Sequence, residues 1–223
     1  MWVHYFGPHS PSSRHTNKWA FGEGVDAEYD HEVRFNDAHV GRLLAVLTQV
    51  AAETPLLVIL TSDHGELFHD KRRLHGTGLQ EALVRIPLFI RGPGFERGHT
   101  DRLVSLVDLA PTILAATGTP AGGALDGQDL AALLAAPPTE RVLLTDTWRF
   151  NRNKRAVTDM VGAFDGKQML VKDRVRNVTW LFDQHEVSQH PKDHFAPDAA
   201  RHLQAALQQY LSQTRGGKVD LRD

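Results

Sequence analysis

Residues 56–66 read LLVILTSDHGE, an apolar run that breaks into Asp63, His64, Gly65 and Glu66. The near-continuous apolar segment 56–61, with Val58 and Ile59 at its centre, predicts a strand buried on both faces of a parallel sheet. The polar cluster then sits at the strand's carboxyl end, where open α/β sheets bind ligands. Asp63 and His64 each offer a lone pair to a cation, and Gly65 has no Cβ to obstruct a sharp turn. Taken alone, Asp-His-Gly after a strand suits a metal or anion site and an ordinary capped turn equally well. Adjacent residues cannot complete a site, because a hard divalent cation takes about six ligands and a zinc-like ion about four. His9 and His75, each in a glycine-containing loop after an apolar run, are the next candidates, although on pattern alone each reads as a lone surface histidine. Glu66, His69, Asp70 and the run Lys71-Arg72-Arg73 read as solvated loop and fall outside the core site.

Working outward, Val33, Val40, Leu43, Leu44, Leu47 and Val50 recur at three to four residues and predict an amphipathic helix over 26–52,. Glu32, Asn36, His39 and Arg42 fall on its polar side, and Pro55 stops it. Residues 1–6 read as a short strand broken by Gly7-Pro8-His9-Ser10-Pro11, and 12–24 as a surface loop. Downstream, 86–90 reads as a strand closed by Gly92-Pro93-Gly94, and 103–106 as another. Asp108 is placed to cap a helix through Thr117, and 130–136 forms a second helix. Beyond Pro137-Pro138 the pattern changes to strands at 141–145, 156–161, 168–171 and 178–182, with Asp165-Gly166 as a hairpin turn. A last helix starts at Pro197 and Asp198, with Ala199, Leu203, Ala206, Leu207, Tyr210 and Leu211 on one face. The expected organisation is an α/β domain over 1–138, a small α+β subdomain over 139–214, and a frayed tail over 215–223.

Composition removes several function classes. The 223 residues carry 25 Lys and Arg against 27 Asp and Glu, so no global field points to nucleic acid or an anionic membrane. Cysteine is absent, which excludes disulfides, thiolate metal sites and a cysteine nucleophile within this sequence, and leaves the compartment open. The start MWVHYFGPHSP lacks the basic and apolar regions of a secretory signal, and no segment approaches the length of a membrane span, so a soluble chain is expected.

TSDHGE, HGTGLQEALVRIPLFIRGPG, VSLVDLAPTILAATGTP and LDGQDL, in that order, together resemble the second half of a sulfatase of the alkaline phosphatase superfamily. WVHYFGPHSP resembles the strand and Pro-His loop before that family's long helix, and NVTWLFDQ its late strand before a final helix. The resemblance implies an α/β fold: an incomplete alkaline-phosphatase-like sandwich with a mainly parallel sheet, followed by a small antiparallel sheet plus a C-terminal helix. It implies sulfuric ester hydrolysis, or hydrolysis of a related phosphodiester or phosphonate monoester, at a site holding one divalent cation. Asp63 and His64 match the pair that supplies metal ligands from this strand end, and many sulfatases have Asn where this chain has His64. Calcium or magnesium is the family default, while an imidazole nitrogen also suits manganese or zinc. His9 matches a family histidine near the substrate anion, and His75 falls where the family often has Lys or His facing the same group. As catalytic residues, both would stabilise charge developing on the anion and leaving oxygen.

The departures shape the functional expectation. Family members carry a nucleophile, formylglycine made from Cys or Ser in a Cys/Ser-x-Pro-x-Arg motif, in their first half. The closest string here, Ser10-Pro11-Ser12-Ser13-Arg14, has Ser12 at the required proline position. The chain is therefore expected to be a C-terminal fragment of a sulfatase-family hydrolase, inactive alone, either recorded as a fragment or working with a separately encoded N-terminal half. The alternative is a non-catalytic remnant or partner subunit of a split enzyme.

Overall fold

The computed structural model describes residues 1–9, 21–52, 54–69, 72–153, 155–183 and 200–214. The expected helix start at Pro197 and Asp198 and the tail over 215–223 lie outside the described residues, as do the whole string Ser10 to Arg14, Asp70 and Lys71.

Helix α1 (Val25–Val50) is followed by strand β1 (Val58–Thr61), the hairpin β2 (Leu67–His69) and β3 (Arg72–Leu74), the short helix α2 (Glu81–Val84) and strand β4 (Leu88–Arg91). A 3-10 turn (Leu106–Asp108) leads into α3 (Leu109–Thr117), and α4 (Leu130–Ala135) follows. The chain then forms β5 (Leu143–Phe150), β6 (Ala156–Phe164), β7 (Gln168–Asp173), β8 (Val178–Asp183) and α5 (Arg201–Thr214). No helix among the described residues is long and apolar enough to cross a membrane.

The expected mainly parallel sheet is overturned: every sheet among the described residues is antiparallel. β1 pairs with β4 in the register Val58↔Arg91 to Thr61↔Leu88. The connection from β1 to β4 holds a hairpin and a four-residue helix and returns the chain in the opposite direction. Nor is β1 buried on both faces, since the cross-strand neighbours Leu60 and Phe89 are 41% and 65% exposed. A continuous apolar run could not separate these cases, because it shows the absence of polar residues and not the presence of a neighbour.

Two further expectations fail for the same reason. Residues 1–6 form no strand, and Trp2 is 83% exposed. Residues 103–105 are outside regular structure, while Leu106 begins the 3-10 turn. Helix α1 spans the expected range, yet it buries Ala27, His31 and Glu32 and exposes Val33, Leu44, Val46 and Val50. Its first turns are covered by Phe21 against His31 and by Phe68 against Tyr29.

The best-packed core lies in the four-stranded sheet, ordered β5-β6-β7-β8. Side chains alternate between its faces. Val161, Ala163, Leu170 and Leu181 meet Ala200, Leu203 and Leu207 of the α5 region, whereas Met160 and Val171 meet Leu79, with Val84 and Trp180 alongside. Gly162 belongs to this second face: a Cβ there would lie 3.1 Å from Leu79 Cδ1. Asp165 and Gly166 make the β6–β7 turn, with Gly166 at φ 93° and Asp165 Oδ1 accepting from the Lys167 and Gln168 N–H groups at 2.8 Å each.

Asp108 joins α3, the α4 approach and the entry to β5. Its buried carboxylate accepts from the N–H groups of Ser105 (2.8 Å) and Gln128 (2.9 Å), and from both terminal nitrogens of Arg141 (2.8 and 2.6 Å). It therefore closes the 3-10 turn rather than capping α3 with its side chain. Burial alone would raise its pKa, but the Arg141 guanidinium and the two backbone donors outweigh that and hold the carboxyl below its ordinary range,.

Candidate functional site

The end of β1 is pinned to the start of β4, because Thr61 Oγ1 donates to the Pro87 carbonyl at 2.9 Å. The chain then turns outward. Asp63 Oδ1 accepts the His64 backbone N–H at 2.9 Å, which leaves Oδ2 on a side chain that is 77% exposed. His64 Nδ1 lies 2.8 Å from the Gly65 carbonyl. A carbonyl can only accept, so a neutral His64 ring carries its proton on Nδ1 and its lone pair on Nε2. That Nε2 lies 3.8 Å from Asp63 Oδ2. Gly65 is required by close approach: its N–H donates to the Leu83 carbonyl at 2.8 Å, and a Cβ would lie 2.0 Å from the Ala82 carbonyl oxygen.

The β2–β3 hairpin brings His75 back to this point. The His75 and His64 rings stack with centroids 4.6 Å apart, and the His9 ring centroid lies 6.0 Å from that of His75. His9 arrives from the N-terminal segment, where its ring stacks on Phe6 at 4.5 Å and its N–H donates to the Phe6 carbonyl at 3.2 Å. Gly7 lets that segment lie against α1, since a Cβ there would be 2.5 Å from Asn36 Oδ1 and 3.1 Å from Glu32 Oε2. Thus His9, His75 and His64 form one row, with Asp63 beside its last member.

Sequence reasoning set aside Glu66 and Arg73, and the structure makes both part of this arrangement. Glu66 is 7% exposed; its Oε1 lies 3.0 Å from His75 Nδ1, and its Oε2 accepts from Arg73 Nη2 at 3.0 Å. Arg73 is 8% exposed, donates to the Pro8 carbonyl, and sets its guanidinium carbon 4.8 Å from the Tyr29 ring centroid. Burial raises the Tyr29 phenol pKa, and the neighbouring Arg73 charge opposes that rise. The missed signal is the period of two in a strand: Arg73 and Arg72 must point to opposite faces.

A cation test of the donors gives a partial fit. Asp63 Oδ2 and His64 Nε2 are exposed, close together and chemically suited to one divalent ion, whose bonds to nitrogen or oxygen are about 2.0–2.6 Å long,. Among the described residues no group of three or more His, Asp or Glu side chains could hold a metal ion. Asp63 and His64 thus supply part of a coordination sphere.

Residues 1–119 match the model of the family described as Sulfatase. Arylsulfatase K of Danio rerio is 30% identical over 152 residues, covering 66% of this chain and 29% of that protein. The low-salt glycan biosynthesis sulfotransferase Agl7 of Haloferax volcanii is 30% identical over 190 residues, 77% of this chain and 46% of its own length. Among solved structures, the phosphonate monoester hydrolase SpPMH from Silicibacter pomeroyi superposes with a TM-score of 0.68 at 24% identity, covering 88% of this chain and 42% of that one. The chain therefore spans less than half the length of each of these three relatives.

Proposed function

The chain belongs to the sulfatase family, and from this premise we propose that it supplies one wall of a sulfuric ester hydrolase, with Asp63 and His64 as metal ligands and His9 and His75 as catalytic residues. Family membership implies a divalent-metal-dependent mechanism. The observation that carries the reading is the single row of His9, His75 and His64 beside Asp63, drawn from segments that are distant in the sequence. A cation held by Asp63 Oδ2 and His64 Nε2 would draw negative charge from a sulfate oxygen. The nitrogen donor makes manganese and zinc eligible beside calcium and magnesium.

The other residues act directly on the ester. His75, oriented by Glu66 through Nδ1, presents Nε2 to the anion, and protonated imidazoles at His75 and His9 donate hydrogen bonds to its oxygens,. During hydrolysis the bond from sulfur to the leaving oxygen breaks, that oxygen takes a proton, and the sulfur finally gains oxygen from water. The covalent step needs a nucleophile, and with no cysteine in the sequence we assign that role to a sulfatase-type first half carrying Cys/Ser-x-Pro-x-Arg. The exposed cross-strand pair Leu60 and Phe89 supports such a partner, because a two-stranded sheet is marginal by itself and leaves both edges unpaired,. A phosphodiester or phosphonate monoester is the second substrate reading, supported by the fold shared with a phosphonate monoester hydrolase.

The test is turnover of an aryl sulfate, an aryl phosphodiester and an aryl phosphonate monoester with added calcium, magnesium, manganese or zinc. The 223-residue chain alone is expected to be inactive. Addition of a sulfatase first half should give metal-dependent turnover that Asp63→Ala removes. Metal-dependent turnover by the chain alone, abolished by Asp63→Ala, would overturn the assignment of the nucleophile to another segment. Turnover in the combined system that is indifferent to Asp63→Ala would overturn the metal assignment.

A further inference from the structure

We propose that Arg73 is a positioning residue that fixes His75 through Glu66 and His9 through the Pro8 carbonyl, so that one buried guanidinium sets the spacing of the histidine row. This rests on reading that row as the anion-facing wall, and it deepens the reading by naming what holds the wall together. Three observations carry it. Nη2 of Arg73 donates both to Glu66 Oε2 and to the Pro8 carbonyl, which immediately precedes His9. The second oxygen of Glu66 meets His75 Nδ1, so the carboxylate keeps a proton on Nδ1 and leaves Nε2 as the ring nitrogen that donates to the anion when the imidazole is protonated,. The guanidinium also lies against the Tyr29 ring of α1, a contact that anchors the cation and orients its plane.

The choice of residue follows from these demands. A guanidinium is planar and offers several donors in a fixed fork, and it stacks on aromatic rings. A lysine could keep the charge but not the plane against Tyr29. Glu66 and Arg73 are both nearly buried, and a buried ion pair is poor evidence of net stabilisation because desolvation offsets its Coulomb attraction. Its service here is geometric. The pair connects the N-terminal segment, α1, the loop after β1 and strand β3, and so ties His9 and His75 to one anchor.

The test reads imidazole ring states by nitrogen-15 NMR on the full 223-residue chain, about two pH units above the ordinary histidine pKa of about 6.5. In the unsubstituted chain His75 should show a single Nδ1–H tautomer. Glu66→Gln should convert His75 into a tautomer mixture while His9 is unmoved, because Arg73 can still reach Pro8. Arg73→Met, which keeps the volume and removes every donor, should shift both His75 and His9. His202, held 2.7 Å from Asp165 Oδ2 on the C-terminal sheet, should stay fixed in both variants and so reports an intact fold. Unchanged His75 in Glu66→Gln, or unchanged His9 in a folded Arg73→Met, would overturn the proposal. If Arg73→Met does not fold, Arg73→Lys takes its place, with a His9 shift expected and its absence refuting. Failure of ester hydrolysis with these ring responses intact would sink the hydrolase reading and leave the positioning role standing.

Discussion

Replacing Asp108 by Asn should cost more stability than any change at the histidine row. The carboxylate is fully buried and accepts four hydrogen bonds from Ser105, Gln128 and both ends of Arg141. Asparagine has the same shape but one acceptor oxygen fewer, so its amide must point two hydrogens at a guanidinium or at a backbone N–H. Removing one partner of a buried ion pair costs about 3–5 kcal/mol. With a urea slope of about 2–3 kcal/mol/M for a chain of this size, the unfolding midpoint should fall by about 1–2.5 M. The pH dependence has a definite sign. Because the folded pKa lies below the unfolded one, the contribution of Asp108 is complete above the unfolded value of about 3.9 and is lost as pH falls through the folded value. Urea melts followed by tryptophan fluorescence between pH 7 and pH 3 would measure both quantities. The gap between the unsubstituted chain and Asp108→Asn should be widest near neutrality and narrow as pH falls toward 3. A neutral-pH shift below about 0.3 M, or a gap that persists unchanged in acid, would refute the account of Asp108 as a paired carboxylate.

Two other substitutions probe the supports of the fold. Leu203→Ala removes a side chain with no exposed surface from the joint between α5 and the four-stranded sheet, and should cost about 2–5 kcal/mol in the same urea melts. Gly65→Ala would set a Cβ 2.0 Å from the Ala82 carbonyl oxygen. It should break the Gly65 to Leu83 hydrogen bond, seen as faster amide exchange at Gly65, and displace His64 in ring NMR. Both signals unchanged would contradict the close approach.

What the sequence showed plainly was local. The short runs of strand-forming residues in 156–183 located β6, β7 and β8, with the Asp165-Gly166 turn between the first two, because such runs bounded by turn residues mark strands within their own residues,. The three-to-four spacing located α1 to within two residues at each end. Partnership was not legible. Leu56 to Thr61 reads as a doubly buried parallel strand, yet its neighbour is antiparallel β4 and Leu60 is exposed, since apolar composition does not encode direction of pairing. The same blindness put Glu32 on the outer face of α1 and Val33 inside, whereas Gly7 and its neighbours cover Glu32. For the site, the individual histidines could be named but their adjacency could not. Glu66 and Arg73 were passed over because charged residues in a loop are usually solvated, and only the returning hairpin buries them.

Asp63 and Glu66 show how little sequence distance determines a carboxylate's role. They lie three residues apart, but one is 77% exposed and the other 7% exposed between Arg73 and His75. A hydrated divalent ion can approach Asp63 without stripping it from any buried partner. The same ion could use Glu66 only by displacing Arg73 or His75 and leaving a buried charge unpaired, which is strongly unfavourable. The two neutral substitutions should therefore separate. Asp63→Asn should lower manganese or calcium affinity in titration calorimetry by about tenfold or more, the loss of about 1.4 kcal/mol that one charged ligand readily accounts for, with the urea midpoint unchanged. Glu66→Gln should lower the midpoint even in the absence of added metal. If instead Asp63→Asn destabilises the chain and Glu66→Gln alone weakens cation binding, the cation belongs on the buried side of the row and Glu66 must be its ligand.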